Sequence, residues 1–191
     1  VDQSAVHAAR ATEDVDFIVD ITTKTELYKF GKKLKGKGFV ESPEIICRWQ
    51  RVQEPKIVID VMPVDSSVLG FTNQWYRLAI DDYHSVVLPD SRRIRLVKPL
   101  IFLATKLASW HGRGEGQIDH KDMQDIIYVL ESRAGVVLEF YDCENDTLKD
   151  YLRAQAAELL NNSQFQNFLP GMVSEAGGAR IVTSALSIMA R

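Results

Sequence analysis

Residues 57–63, Ile57-Val58-Ile59-Asp60-Val61-Met62-Pro63, read as a buried β-strand with a carboxylate in its middle. The run is compact, apolar and rich in β-branched side chains, and proline closes it. An ionised carboxylate taken out of water is costly and persists only when it is paired or bound to a metal. Whatever this chain folds into must therefore bring a compensating group to Asp60. A second segment, Thr12-Glu13-Asp14-Val15-Asp16-Phe17-Ile18-Val19, raises the same problem. Alternation along a strand puts residues i and i+2 on one face, so Asp14 and Asp16 point the same way, with apolar neighbours expected to face the core.

An Asp-x-Asp by itself is more often a solvated strand end than a site. A third acid inside an apolar strand shifts that balance. Three carboxylates on neighbouring strands would repel one another, and a divalent cation removes the repulsion. All-oxygen ligation suits Mg²⁺ or Mn²⁺. Such ions bridge nucleotide phosphates and activate an attacking oxygen in phosphoryl and nucleotidyl transfer.

The rest of the chain frames these segments. Strand patterns cover residues 15–21 and 56–62, with one or two short strands over 39–52. Leu27, Phe30 and Leu34 recur at helical spacing over 24–37, with Thr22 or Thr23 as the cap. A short helix or turn is expected over 73–80, and a strand pair over 85–97 with Pro89-Asp90-Ser91 as its turn. From Pro99 the pattern is helical: one helix to Gly112, a second over 120–132, a third over 146–160, and two shorter ones beyond. We expect an α/β (α+β) fold: a mixed sheet with flanking helices over 1–98, followed by a helical region over 99–191.

Composition excludes several classes. The chain has 191 residues, enough to bury a core without covalent staples. The net charge of −3 excludes a wholly basic nucleic-acid binder, so any polyanion contact must use a local patch. The only cysteines, Cys47 and Cys143, make neither a disulfide framework nor a zinc site, which points to a reducing cytoplasm. No apolar run approaches the ~20 residues that span a bilayer, so no membrane partner is expected. The start, Val1-Asp2-Gln3-Ser4, lacks the pattern of a signal peptide.

Together, Thr12-Glu13-Asp14-Val15-Asp16 and Ile59-Asp60-Val61 resemble the signature of the DNA polymerase β-type nucleotidyltransferases. That signature is an Asp-hydrophobic-Asp followed by a third acid between hydrophobic residues on a later strand. More narrowly, the chain resembles the AbiEii/AbiGii-like nucleotidyltransferases of toxin–antitoxin and phage-defence systems. This narrower likeness is carried by residues 10–19, Cys47-Arg48-Trp49, residues 59–63, residues 102–107, Arg113-Gly114 and residues 122–126.

The resemblance implies that Asp14, Asp16 and Asp60 bind the metal and act in catalysis. It assigns Thr12, Lys106, Asp122 and Asp125 to nucleotide binding, Lys106 near the phosphates. It implies an NTP substrate, a hydroxyl acceptor on RNA or protein, and a cognate antitoxin as partner. A non-catalytic binding module and a small-molecule nucleotidyltransferase are the rival readings. The family also carries a Gly-Gly or Gly-Ser turn about ten residues before its first Asp, where the backbone approaches phosphate. The first glycine here is Gly31, so that turn is expected either to lie upstream of Val1, which leaves activity intact, or to have been lost, which favours the non-catalytic module.

Lys24, Lys29, Lys32, Lys33, Lys35 and Lys37 cluster on and after the first helix. They read first as a solvated helix face and second as a polyanion patch.

Overall fold

Strands and helices are interspersed up to Val97, and the chain is helical from Pro99 onward. The computed structural model describes residues 14–191. These divide into two compact units, residues 14–83 and His84–Arg191.

The first unit holds β1 (Asp14–Val19), α1 (Lys24–Lys35), β2 (Phe39–Glu41), β3 (Arg48–Arg51), β4 (Ile57–Pro63), α2 (Ser66–Leu69) and α3 (Tyr76–Asp81). Its sheet runs in the order β1-β4-β3-β2. β1 pairs with β4 in parallel, whereas β3 is antiparallel to both β4 and β2. The apolar run at β4 is thus a central strand, flanked on both edges.

One face of this sheet carries Trp49, Ile59 and Val61, which pack with Leu34 of α1 into a core ringed by Leu27, Phe30 and Phe39. α1 sits close to the sheet because residue 31 is glycine: a Cβ there would fall 2.9 Å from the Trp49 ring. The helix starts where expected. Thr23 is the cap, its hydroxyl accepting from Glu26 N at 3.2 Å while the Glu26 carboxylate accepts from Thr23 N at 3.1 Å. That reciprocal pair satisfies two otherwise orphaned amides.

Val15 and Phe17 were expected to face the core, and they are instead about half exposed, at 53% and 48%. The alternation holds, but β1 lies at the end of the described sheet, where fewer neighbours cover it. Helix α2 was not anticipated. It is one turn long, capped by Asp65, and buries only Val68, which is too short to show a helical period.

The boundary falls after the first residue of β5 (Tyr83–Val87), which forms a hairpin with β6 (Arg93–Val97). Asp90 in the turn accepts from Arg92 N at 3.1 Å, as Pro89-Asp90-Ser91 suggested. Then follow α4 (Pro99–His111), α5 (Lys121–Ser132), α6 (Val136–Tyr141), α7 (Asp146–Asn161), α8 (Ser163–Met172) and α9 (Gly178–Met189). Leu103, Leu107, Ile126, Leu152, Leu159 and Leu186 meet at the centre of these helices. The short α6 was not anticipated.

The described residues thus form a mixed α/β structure of the α+β kind, with a four-stranded mixed sheet, a two-stranded sheet and nine helices. None of the described helices is long and apolar enough to cross a membrane.

Candidate functional site

The face of the sheet opposite α1 carries the acids. In the parallel pairing of β1 and β4, Asp16 lies directly beside Asp60, and Asp14, two residues earlier, shares its face. Residue burial rises across the group: Asp16 is exposed, Asp14 is intermediate and Asp60 is 7% exposed. The two acidic segments of the sequence are therefore brought together.

The group that compensates Asp60 is Arg48. It stands opposite Asp60 in the antiparallel pairing of β3 and β4. Its Nε donates to Asp60 Oδ1 at 2.8 Å and its Nη2 to Asp60 Oδ2 at 2.8 Å, a side-on bidentate pair. The same Nη2 donates to Asp14 Oδ2 at 2.5 Å. The hydrogen bond to Asp60 raises the Arg48 pKa above its ordinary value, against the opposing effect of burial. Arg48 lay inside one of the stretches that carry the resemblance, but no role had been assigned to it. A basic residue on the neighbouring strand was the available signal, and its register was not readable locally.

The donor chemistry of this face fits a hard divalent ion, being made of carboxylate oxygens alone. In the arrangement observed, Arg48 already holds both oxygens of Asp60 and one of Asp14. No group of three or more histidine, cysteine, aspartate or glutamate side chains among the described residues is arranged to hold a metal ion. Asp14, Asp16 and Asp60, which the resemblance assigns to Mg²⁺ or Mn²⁺, are brought to one face of the sheet by the strand register. Cys47, beside Arg48, is buried, and burial followed by the field of Asp60 pushes its thiol pKa up. It is therefore no nucleophile candidate.

Lys106, Asp122 and Asp125 are also brought together, within the helical unit. Lys106 Nζ on α4 donates to Asp125 Oδ2 at 2.6 Å and to Asp122 Oδ1 at 3.2 Å, both on α5. Arg113 completes the group, with Nε to Asp122 Oδ2 and Nη2 to Asp122 Oδ1, each at 3.0 Å. Asp122 has no exposed side-chain surface. Burial raises its pKa, yet hydrogen bonding to Arg113 and the charge on Lys106 outweigh that and hold it below the ordinary value. For Lys106, burial lowers the pKa, and Asp125 followed by Asp122 more than restores it.

The turn that presents Arg113 depends on Gly114. A Cβ there would lie 2.6 Å from the Trp110 carbonyl oxygen and 3.1 Å from His120 Nδ1. Trp110 closes the same turn by donating from Nε1 to the Gln117 carbonyl at 2.8 Å.

Thr12, the remaining predicted site residue, lies outside the described residues. Of the α1 lysines, Lys24, Lys32 and Lys35 line a cavity of about 320 Å³ together with Tyr28, Ile46 and Trp49. Lys35 is also paired with Glu41 at 3.1 Å.

No protein-family model matches this chain, and no curated protein matches it. The likeness to nucleotidyltransferases therefore stands on the residues named above.

Proposed function

We propose that this protein is a metal-dependent nucleotidyltransferase of the cytoplasm. In this reading it takes an NTP, moves the nucleoside monophosphate to a hydroxyl on RNA or protein, and releases pyrophosphate. The toxin–antitoxin resemblance makes it the toxin of such a pair or of a phage-defence system, with a cognate antitoxin as partner. The observation that carries the reading is the strand register that sets Asp16 beside Asp60, with Asp14 on the same face.

In this reading Asp14, Asp16 and Asp60 would hold the divalent ion, and Asp60, once freed from Arg48, would help take the proton of the attacking hydroxyl. Such an ion, Mg²⁺ or Mn²⁺, would neutralise charge on the phosphates. Thr12, Lys106, Asp122 and Asp125 are assigned to nucleotide binding. The resemblance supplies that assignment; within the helical unit, Lys106 donates to Asp122 and Asp125.

Calorimetric titration of each of the four NTPs, with and without Mg²⁺, tests this. Mg²⁺-dependent binding should be present in the wild type and lost in Asp14→Asn/Asp16→Asn, and Asp14→Asn alone should abolish transfer while leaving the fold intact. Full transfer activity in Asp14→Asn would sink the assignment.

A second reading is a module that keeps the fold without chemistry. The guanidinium of Arg48, already satisfying Asp14 and Asp60, favours it. Absence of Mg²⁺-dependent nucleotide binding by the folded protein would select it over the enzyme. A small-molecule nucleotidyltransferase would share the Asp14→Asn result and differ only in its acceptor.

A further inference from the structure

We propose that the cavity between α1 and the sheet face opposite the carboxylates is a binding site for a small amphipathic anion, an alkyl chain of medium length with an anionic head. The site stands apart from the nucleotidyltransferase reading. Asp14, Asp16, Asp60 and Arg48 do not line it, and every residue that does lies in the first unit.

Strand alternation makes the separation. Trp49 and Val61 adjoin Arg48 and Asp60 in the chain and therefore point to the other side of the sheet, where they form the floor of the cavity. Leu27, Ile46, Val68 and Leu69 make the rest of the wall aliphatic. The volume of about 320 Å³ and a mostly apolar lining with a few polar groups are the ordinary character of a small-molecule site. Tyr28 and Ile46, both part of the lining, are 64% and 68% exposed, so an entering alkyl chain would cover apolar surface that now faces water.

The charge lies along one side. Lys24, Tyr28, Lys32 and Lys35 recur at spacings of four, four and three, which puts them on one edge of α1. The lining holds one acid, Glu41, and Lys35 pairs with it at 3.1 Å. Lys24 and Lys32 meet no carboxylate among the described residues. The rim therefore carries two uncompensated ammonium groups on flexible stems, and an anionic head is the group that compensates them.

The aromatic rings decide the body of the ligand. Lys32 Nζ lies 4.6 Å from the centroid of Tyr28, and Lys35 Nζ lies 5.9 Å from that of Trp49. Each ring thus already has an ammonium over one face. A stacked aromatic ligand would compete with those ammonium groups, whereas an alkyl chain needs only the aliphatic lining.

The test is calorimetric titration of the full chain with hexanoate, octanoate, octyl phosphate, octanol and inorganic phosphate, each as a monomer in solution. Octanoate should bind at one site per chain, and each methylene added between hexanoate and octanoate should tighten binding about fourfold. Octanol, which lacks the charge, and inorganic phosphate, which lacks the chain, should bind at least roughly tenfold more weakly than octanoate and octyl phosphate respectively. Lys24→Gln/Lys32→Gln should weaken octanoate binding roughly tenfold. Lys29→Gln/Lys33→Gln removes the same charge from the same helix but away from the cavity, and should bind as the wild type does. Tighter binding of octyl phosphate than of octanoate assigns a phosphate head, and the reverse assigns a carboxylate. Equal losses in the two lysine pairs would reduce the effect to the overall charge of α1 and overturn the site, as would octanol binding as tightly as octanoate. Failure of the wild type to bind either octanoate or octyl phosphate also overturns it.

A second readout gives the location. In ¹⁵N–¹H spectra of the wild type, the indole signal of Trp49 should shift with octanoate while those of Trp75 and Trp110, which do not line the cavity, stay in place. A titration that moves Trp75 or Trp110 and leaves Trp49 unchanged places the ligand elsewhere and overturns the proposal.

Discussion

Asp122 is the most demanding single residue in the helical unit, a carboxylate with no exposed side-chain surface facing Lys106 and Arg113. Removing one partner of a buried ion pair leaves an uncompensated charge, which costs far more than the intact pair contributes. Lys106→Met should therefore lower the unfolding free energy by about 3 kcal/mol, the low end for such a loss because Arg113 remains. Urea unfolding followed by circular dichroism measures this, and a cost well under 1 kcal/mol would mean that Arg113 alone satisfies Asp122.

The same residues set a pH dependence. The folded pKa of Asp122 lies below its unfolded value, so its contribution is present above about pH 4 and is lost as pH falls through the folded value. The folded pKa of Lys106 is raised, so its contribution is present below about pH 10 and is lost as pH rises through the folded value. Asp122→Asn should flatten the acid limb of the stability profile relative to wild type. An unchanged acid limb would place the acid sensitivity elsewhere.

At the scale of elements, the two acidic segments become one face only because β1 pairs with β4 in the register that sets Asp16 beside Asp60. α1 covers the other face, and its start is defined by the reciprocal bonds of Thr23 and Glu26. Thr23→Ala removes the side-chain half of that cap and should cost about 1 kcal/mol. A thermal melt of the variant checks it, and no shift in midpoint would show that water replaces the cap. In the helical unit, the turn between α4 and α5 is closed by Trp110 on Gln117 and needs a glycine at 114. This places Arg113 against Asp122 and ties the ion network to the geometry of one turn.

For the whole molecule, the net charge of −3 leaves any polyanion contact to a local surface such as the α1 lysines. The proposed function predicts where a ligand registers in the chain. With an NTP and Mg²⁺ present, hydrogen exchange should slow at the amides of β1 and β4, and the slowing should vanish in Asp14→Asn. Protection that persists in that variant would move the nucleotide away from the carboxylate face.

What could be read in the sequence was local. The period of α1, the proline start of α4, the amphipathic α5 and the apolar β4 are properties of consecutive residues, and each appears where its pattern lies. The shared face of Asp14 and Asp16 follows from strand alternation alone, and the need for a partner at Asp60 follows from the cost of burying charge. The one-turn α2 and the short α6 were not legible, because such lengths carry no period. Non-local facts were decided only in three dimensions. Asp16 meets Asp60 through a pairing between strands far apart in the chain, and Arg48 reaches Asp14 across 34 positions. The exposure of Val15 and Phe17 depends on β1 standing at the end of the described sheet. Burial cost tells a chain that a charge must be met, but strand order and register choose the residue that meets it, and no window of neighbouring residues contains that choice.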